Sequence, residues 1–396
     1  MSQQDRIVIV GAGIGGLTAG LCLERAGFSV QLVERFDEVR EVGAGILLAP
    51  NASNVHYNRL DLGDQLDAVS APLLRGSVEN IQGKVLANLV SIDVDQLPAP
   101  PRMIHRAALQ RVLYDGLGAD RVRLSSAVTG FKLGDGGVAA VTEDGDSIWG
   151  RALIGADGVN SKIRAQLVGD EPDPLRYHGY TCWRGITGPF EHPDFAFGTL
   201  KEIQGRGARA GMGYIDDERV YWWATADAPR GERDDRETIH TDLATIYADF
   251  PDHFLAMIEA TDTDKILRND ICDRPPLRRW GTGPITLLGD AAHPMSPNLG
   301  QGACSAVEDA DMLAICLANY DDLPQGLRRY AQLRQKRTAQ LQKKSKQFGD
   351  IGQWKNPVAV KARELSTALL TPLVMDKQQR WLWDYDAKRA FLEVES

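Results

Sequence analysis

The chain lacks any run of apolar residues approaching the roughly 18 that a bilayer-spanning helix needs. Cysteine is scarce, with five residues in 396: Cys22, Cys182, Cys272, Cys304 and Cys316. Their number is odd, their separations are long, and none falls in a C-x-x-C or Cys/His spacing. That argues against a disulfide framework or a metal module and for free thiols in a reducing cytoplasm; no metal is expected. Positive charge is in deficit, 45 Lys and Arg against 54 Asp and Glu, for a net charge of -9 and a pI near 5.4. Neither nucleic acid nor an anionic membrane surface is therefore expected as the main partner. No internal repeat and no low-complexity segment is present. The chain enters an apolar run within a few residues of Met1, so no signal peptide is expected to precede it.

What is present is enough apolar residue, 43% of 396, for a sizeable core and two or so domains. The first 35 residues read as strand, glycine turn, helix, strand. "RIVIV" is a short apolar run, "GLTAGLCLERAG" carries helical spacing and stops at Gly27, and "SVQLVER" is a second strand. Gly11, Gly13 and Gly16 fit G-x-G-x-x-G between strand and helix. The first permits the tight turn, the second lets a pyrophosphate approach the backbone, and the third lets helix and strand pack. The free N–H groups of the helix N-terminus suit phosphates. Glu34 is placed to accept hydrogen bonds from ribose hydroxyls. The pattern says dinucleotide without saying which one.

Residues 36 to 80 read as loop-rich, with "EVGAGILLAPNA" their most distinctive part. "RAALQRVLYDGL" reads as a helix, followed by strands near 121–125 and 138–142, and "RALIGADGVNSKIR" as a strand ending in a glycine turn. From about 175 to 280 the texture changes. "GYTCWRGIT", "GARAGMGYI" and "RVYWWATA" are aromatic or alternating stretches that predict an antiparallel sheet. "PITLLGDAAH" returns to the buried-strand pattern, and from Ala303 onward the chain reads as helical. The basic stretch "LRRYAQLRQKRTAQLQKKSKQ" is a solvated face or a dimer contact, the former being favoured.

Two further segments bear on chemistry. "GADGVNSKIR" places Asp157 and Gly158 at a strand end, with Arg164 one turn into a helix; alone it reads as an ordinary acidic turn. In "LLGDAAHPMSPNLGQGACSAVEDA", Asp290 follows a buried strand where its carboxylate can hold a sugar-like hydroxyl. Gly300, Gln301 and Gly302 then lead into a helix beginning near Ala303, whose unpaired amides would stabilise negative charge. A structural role beside this loop is the expectation for His293, rather than that of a catalytic base.

With "GAGIGG" and Glu34, "GADGVNSKIR" and "GDAAHPMSPNLGQG" in that order, the chain resembles the class A, single-component flavoprotein monooxygenases over roughly residues 5 to 345. "YHGYTCWRG" and "LRRWGTGPITLLGDAAH" bring it nearest the salicylate hydroxylase-like and urate hydroxylase-like branch. The resemblance implies an α/β fold: a Rossmann-like FAD-binding domain interleaved with a mixed or antiparallel β-sheet substrate domain, and a helical C-terminal region. The implied division gives the FAD-binding domain residues 1–75, 104–174 and 281–345. The substrate domain takes 76–103 and 175–280, and the helical region 346–396. Gly13, Gly15, Glu34 and the adjacent Arg35 would hold the ADP half of a non-covalent FAD. Leu47 in "GAGILLAPN", Arg106 in "HRAALQ" and Val128 would add flavin contacts, and Asp157 belongs to a segment serving both FAD and the pyridine nucleotide. Asp290 would meet the ribityl chain, and Gly300, Gln301, Gly302 and Ala303 the flavin pyrimidine. NADH or NADPH would be a transient co-substrate, since no second G-x-G-x-x-G follows a strand.

The same resemblance makes the strand pair "GARAGMGY" and "RVYWWAT" the floor of a substrate pocket. It puts Arg209 and Tyr221 where urate hydroxylases contact their substrate. Alternation sets Arg209 with Gly211 and Gly213, and Tyr221 with Trp223. A buried guanidinium is costly unless paired, so Arg209 either meets an acidic protein partner or awaits an anionic substrate, the second being favoured; an ordinary sheet-face role stays open for Tyr221. The implied activity is hydroxylation of a small aromatic or heteroaromatic compound with NAD(P)H and O2 through a flavin C4a-hydroperoxide, in a monomer or homodimer. An epoxidase, a drug-inactivating monooxygenase of the same fold and a flavin dehydrogenase or oxidase are the alternatives.

Overall fold

In the computed structural model, which describes residues 5–38, 44–90, 93–135 and 137–395, the apolar run Ile7–Val10 is buried at every position and lies inside a six-stranded sheet. Its order is Gly281–Thr282, Ile285–Leu287, Ala152–Gly155, Ile7–Val10, Val30–Val33, Val122–Arg123. All neighbours are parallel except the first pair. Continuous Val/Ile/Leu runs are what a parallel sheet covered on both faces requires. Because the strands run the same way, the loops after Val10, Gly155 and Leu287 leave from one edge, where a doubly wound sheet places its ligand.

The expected loop-rich stretch between 36 and 80 is instead built of short elements. Gly45–Leu48 pairs with Arg102–His105, which also pairs with Ser70–Pro72. A short α-helix Pro50–Asn54 continues as a π-turn Val55–Arg59, followed by Gly63–Asp67. Elements of three to five residues are too brief to show a periodicity, which explains the difference. Of the "EVGAGILLAPNA" segment, Glu41, Val42 and Gly43 lie outside the described residues. A three-stranded antiparallel sheet of Val128–Gly134, Gly137–Thr142 and Ser147–Gly150 follows the helix Arg106–Leu117.

The aromatic region forms a seven-stranded sheet in the order Leu267–Asp273, Arg176–Pro189, Arg219–Asp227, Ala208–Tyr214, Thr199–Gln204, Arg75–Asn80, Val85–Asn88. It is antiparallel except where Thr199–Gln204 meets Arg75–Asn80. One face buries Trp183, Ala210, Met212, Trp222 and Ala224 with residues of two helices, Ile239–Ile246 and Asp252–Glu259. Those helices fall within a stretch whose sequence texture predicted sheet only. The opposite face looks toward the Gly45–Leu48 strand, since a Cβ on Gly45 would fall 2.4 Å from Cγ of Tyr221.

The C-terminal third is helical: Gly302–Asn319, Leu323–Gly352, Pro357–Trp383 and Ala387–Glu395. The basic stretch lies on Leu323–Gly352, where Leu327, Tyr330, Thr338 and Leu341 face inward. Not all of its cations are solvated. Arg334 is fully buried, bonded to Glu308 and Asp309 at 2.6 Å each.

Candidate active site

The glycine turn divides its work between packing and access. Gly11 has φ +104°, and a Cβ there would sit 2.5 Å from the Ala156 carbonyl oxygen. A Cβ on Gly16 would sit 2.0 Å from the carbonyl oxygen of Gly11, and one on Gly15 2.8 Å from Leu288. These three let backbone meet backbone and helix meet loop. Gly13 differs, since a Cβ there would meet nothing within 4 Å. It stands at the N-terminus of helix Ile14–Arg25, which no side chain caps, so the first amides of that helix remain available to an anion.

Glu34 directly follows the strand Val30–Val33, and its carboxylate accepts hydrogen bonds from the amides of Ala12 (2.7 Å) and Phe36 (3.2 Å). It thus fixes the turn while lying beside it. Gln110, whose role sequence reasoning missed, donates to the Ala12 carbonyl at 2.7 Å. It lies one helical turn after Arg106 in "HRAALQ", and that spacing was the available signal. Arg35 is exposed and lies 4.5 Å over the Phe36 ring. Val128 opens the strand just after Ser126, whose amide donates to the Glu34 carbonyl at 2.8 Å.

The other two loops meet this turn. Asp157 accepts from the Ser161 hydroxyl (2.5 Å) and the Lys162 amide (2.7 Å), capping the helix Lys162–Val168. Burial pushes its carboxyl above the ordinary range against those hydrogen bonds. Arg164 is buried, paired with Asp173 at 2.7 Å, and donates to the carbonyls of Ala291 (3.0 Å) and Ala292 (2.9 Å). The "GADGVNSKIR" segment therefore fastens the loop that carries Asp290. Asp290 itself faces solvent. Arg106, also exposed, begins the helix Arg106–Leu117, and its amide donates to the Ala44 carbonyl at 3.1 Å.

Gly300 adopts φ +62°, in the left-handed region that favours glycine, and a Cβ there would lie 3.9 Å from Leu47. Helix Gly302–Asn319 then starts with no side-chain cap, Gln301 being its first flanking residue. The amides of Gly302, Ala303 and Cys304 are thus the uncapped end, and the helix dipole makes this end attractive to negative charge. Gln301 is buried. Its Oε1 accepts from Asn51 at 3.0 Å, and its Nε2 finds no partner among the described residues.

Beneath this loop lies a buried ionic network. His293 Nε2 is 2.5 Å from Asp309, which also accepts from the Gly289 amide (3.0 Å) and Arg334 (2.6 Å). Arg337 and Asn51 hold Glu308, at 2.7 and 2.5 Å. His293 and Arg334 hold the Asp309 carboxyl down at about 2, against the burial that opposes ionisation. His293 is thus enclosed in the scaffold of the loop. Asn51, Asp309 and Arg334 escaped the sequence reading because their partnership joins residues far apart in the chain.

On the sheet, register decides which side chains share the site. Arg209 lies opposite Thr225, Gly211 opposite Trp223, and Gly213 opposite Tyr221. Cross-strand partners point to one side, so Arg209, Tyr221 and Trp223 occupy a common face. The Trp223 indole lies flat over Gly211, where a Cβ would fall 1.9 Å from Cζ2, and stacks on Tyr221 with ring centroids 5.8 Å apart. Around Tyr221 cluster Leu73, Met103, Leu200 and Ile215, joined by Leu47. Burial raises the Tyr221 phenol far above its ordinary range, so it is a neutral donor.

Arg209 is 3% exposed and has partners for each guanidinium nitrogen. These are Asn298 Oδ1 at 2.7 Å, Gln353 Oε1 at 3.3 Å and Glu202 Oε1 at 3.8 Å. Asn298 also donates to Ser296 (2.9 Å) and the Ser345 carbonyl (3.0 Å). Arg209 thereby ties the sheet to the loop leading to Gly300, a connection that sequence spacing does not reveal.

An open pyrophosphate position at Gly13, a carboxylate beside it and a second uncapped helix end next to a buried unpaired amide suit a flavin dinucleotide. The stacked aromatic pair shares an apolar cluster with Leu47, which lies beside Gly300. This is the architecture of a flavin-dependent oxygenase. Residues 5–345 match the family model described as FAD binding domain, and the chain belongs to that family. It is 38% identical over 377 residues to aurachin C monooxygenase/isomerase of Stigmatella aurantiaca, covering 94% of this chain and 96% of that one. It is 32% identical to the FAD-dependent urate hydroxylase of Klebsiella pneumoniae subsp. pneumoniae (87% and 90% covered). The crystal structure of Klebsiella pneumoniae HpxO complexed with FAD and uric acid superposes with a TM-score of 0.88 at 28% identity, covering 96% of each chain. The protein is an FAD-dependent monooxygenase.

Proposed function

We propose that the protein hydroxylates a small aromatic or heteroaromatic compound. It consumes one NAD(P)H, one proton and one O2, and yields hydroxylated product, NAD(P)+ and water. Bound FAD would supply the acceptance of electrons from NAD(P)H and the activation of O2. The glycine turn amides and Glu34 would hold the adenosine end, and Asp290 the ribityl chain. The amides of Gly302 and Ala303 would stabilise negative charge on the pyrimidine edge of the reduced ring. Tyr221 and Trp223 stack against the substrate ring, and with Met103 and Leu200 they keep water from the reacting atoms.

The observation that carries this reading is the Tyr221–Trp223 stack, 5.8 Å between centroids, packed with Leu47, which itself abuts Gly300. An aromatic wall is thus set against the loop that would carry the flavin ring. The test is NAD(P)H oxidation by the FAD-loaded protein across a panel of phenols, hydroxyquinolines, aromatic acids and oxopurines, with product mass. At least one should stimulate oxidation and gain one oxygen atom. If no aromatic stimulates oxidation, the reading fails; an oxygen added across an isolated double bond would make the protein an epoxidase instead.

A further inference from the structure

The helix Pro357–Trp383 departs from the usual rule for a surface helix, whose apolar stripe faces the core. Its buried positions include Arg363 and Gln379 beside Val360 and Trp383. Arg363 donates to the carbonyls of Gly352 and Gly205 at 2.7 Å each, and Gln379 to that of Leu89 at 2.9 Å. These bonds fix which side of the helix meets the protein. Outward stand Val358, Leu365, Leu369, Leu370 and Val374, each between 50% and 78% exposed. Val358, Leu365 and Leu369 follow one another at helical spacing, so they form one line along the helix.

Charge is distributed to match. The chain as a whole carries -9, which argues against an anionic surface. Between Lys336 and Arg380, however, ten Lys and Arg stand against three acids, Asp350, Glu364 and Asp376. Lys343 and Lys344 on Leu323–Gly352 and Lys377 on Pro357–Trp383 line a groove of 580 Å³ with Val374 and Trp381. Among the described residues, none of these three lysines has a carboxylate within salt-bridge distance. Lys344 instead lies 5.1 Å from the centre of the Trp381 ring. An open cationic groove thus adjoins the outward leucines through Val374.

A second copy of the chain is a poor cover for this stripe. Antiparallel pairing about Leu369 would set Lys361 beside Lys377 of the other copy, and parallel pairing would set each lysine beside itself. Like charges so placed oppose association. No helix among the described residues is long and apolar enough to cross a membrane, so a bilayer would meet this face from outside.

We propose that the outward face of Pro357–Trp383 docks on an anionic phospholipid surface. Leu365, Leu369 and Leu370 enter the boundary between headgroups and acyl chains, and Lys343, Lys344 and Lys377 bind lipid phosphates. Exposed apolar side chains flanked by lysine are the composition of a helix that lies in that boundary. The leucines hold the protein by area removed from water, and the lysines by charge that salt screens.

The test sediments FAD-loaded protein with vesicles of phosphatidylcholine alone or with a quarter phosphatidylglycerol. Wild type should partition onto the anionic vesicles at least about tenfold more strongly, and half-molar salt should remove most of that advantage. Leu365→Ser combined with Leu369→Ser should weaken this binding about tenfold or more while Tm and flavin content stay unchanged. Lys343→Gln, Lys344→Gln and Lys377→Gln together should erase the preference for phosphatidylglycerol. The proposal is overturned if wild type sediments with neither vesicle, if it binds both alike, or if either set of substitutions leaves binding unchanged. It is also overturned if light scattering shows a dimer that the leucine substitutions dissociate, since the stripe would then join two copies.

Discussion

At Gly11–Gly16 the chain makes room by leaving side chains out, while on the sheet face carrying Arg209, Tyr221 and Trp223 it fills room with them. A site built from missing side chains needs glycine at set intervals, because only glycine lets backbone approach backbone as Gly11 and Gly16 do. A site built from projecting side chains can use many residue types, and what fixes it is strand register. The first kind leaves a motif in the sequence. The second leaves only alternation, which says which neighbours share a face but not which strands are neighbours.

The contrast is sharpened most by the network under the Asp290 loop. Replacing buried Arg334 with Met takes away the cation that Glu308 and Asp309 share, leaving Glu308 to Arg337 and Asp309 to His293. The loss of stability in chemical denaturation should be about 3–5 kcal/mol. Gly11→Ala comes next, since it puts a side chain at φ +104° and 2.5 Å from a backbone oxygen. It should destabilise the apoprotein by about 2–4 kcal/mol, from left-handed strain plus overpacking.

A pH test follows. His56 is buried against Thr18 of the first helix (3.2 Å), and burial lowers its pKa from 6.5 to about 4. Below pH 6.5 the unfolded chain binds this proton and the folded chain does not, so the contribution is whole above pH 6.5 and is lost as pH falls toward 4. The loss reaches about 3 kcal/mol at most. Asp311 acts with opposite sign, its carboxyl raised to about 6 by burial; its contribution is present below its ordinary 3.8 and falls as pH rises toward 6. His56→Gln should remove the rising arm and leave the Asp311 fall, so that stability between pH 4 and 6 declines more steeply as pH rises than in wild type; an unchanged slope would exclude His56 as a source.

These differences also explain what could be read in advance. The glycine turn, Glu34 and the uncapped Gly302 helix were legible because each is local, spanning one strand–loop–helix unit. That Ala208–Tyr214 and Arg219–Asp227 are strands was legible from alternation, while their pairing came from the resemblance. The elements between residues 45 and 80 were not, because three- to five-residue pieces hold their shape through Arg102–His105, distant in sequence. Arg209 had an open reading for the same reason. Its partners Asn298 and Gln353 lie 89 and 144 residues away, so sequence offered a cation and no sign of what it meets.

The most direct measurement of the division between the two regions compares Gly13→Leu with Trp223→Ala, each assayed for apoprotein Tm, FAD affinity and H2O2 released per NAD(P)H consumed. A Cβ at Gly13 meets no protein atom within 4 Å. Gly13→Leu should therefore keep its Tm and lose at least about a hundredfold in FAD affinity, by blocking the pyrophosphate approach. Trp223→Ala should keep FAD and raise H2O2 release, because a loosely held ring no longer captures the activated oxygen. If Gly13→Leu unfolds while binding FAD normally, or if Trp223→Ala strips FAD as Gly13→Leu does, the assignment of cofactor to the turn and substrate to the sheet face is wrong.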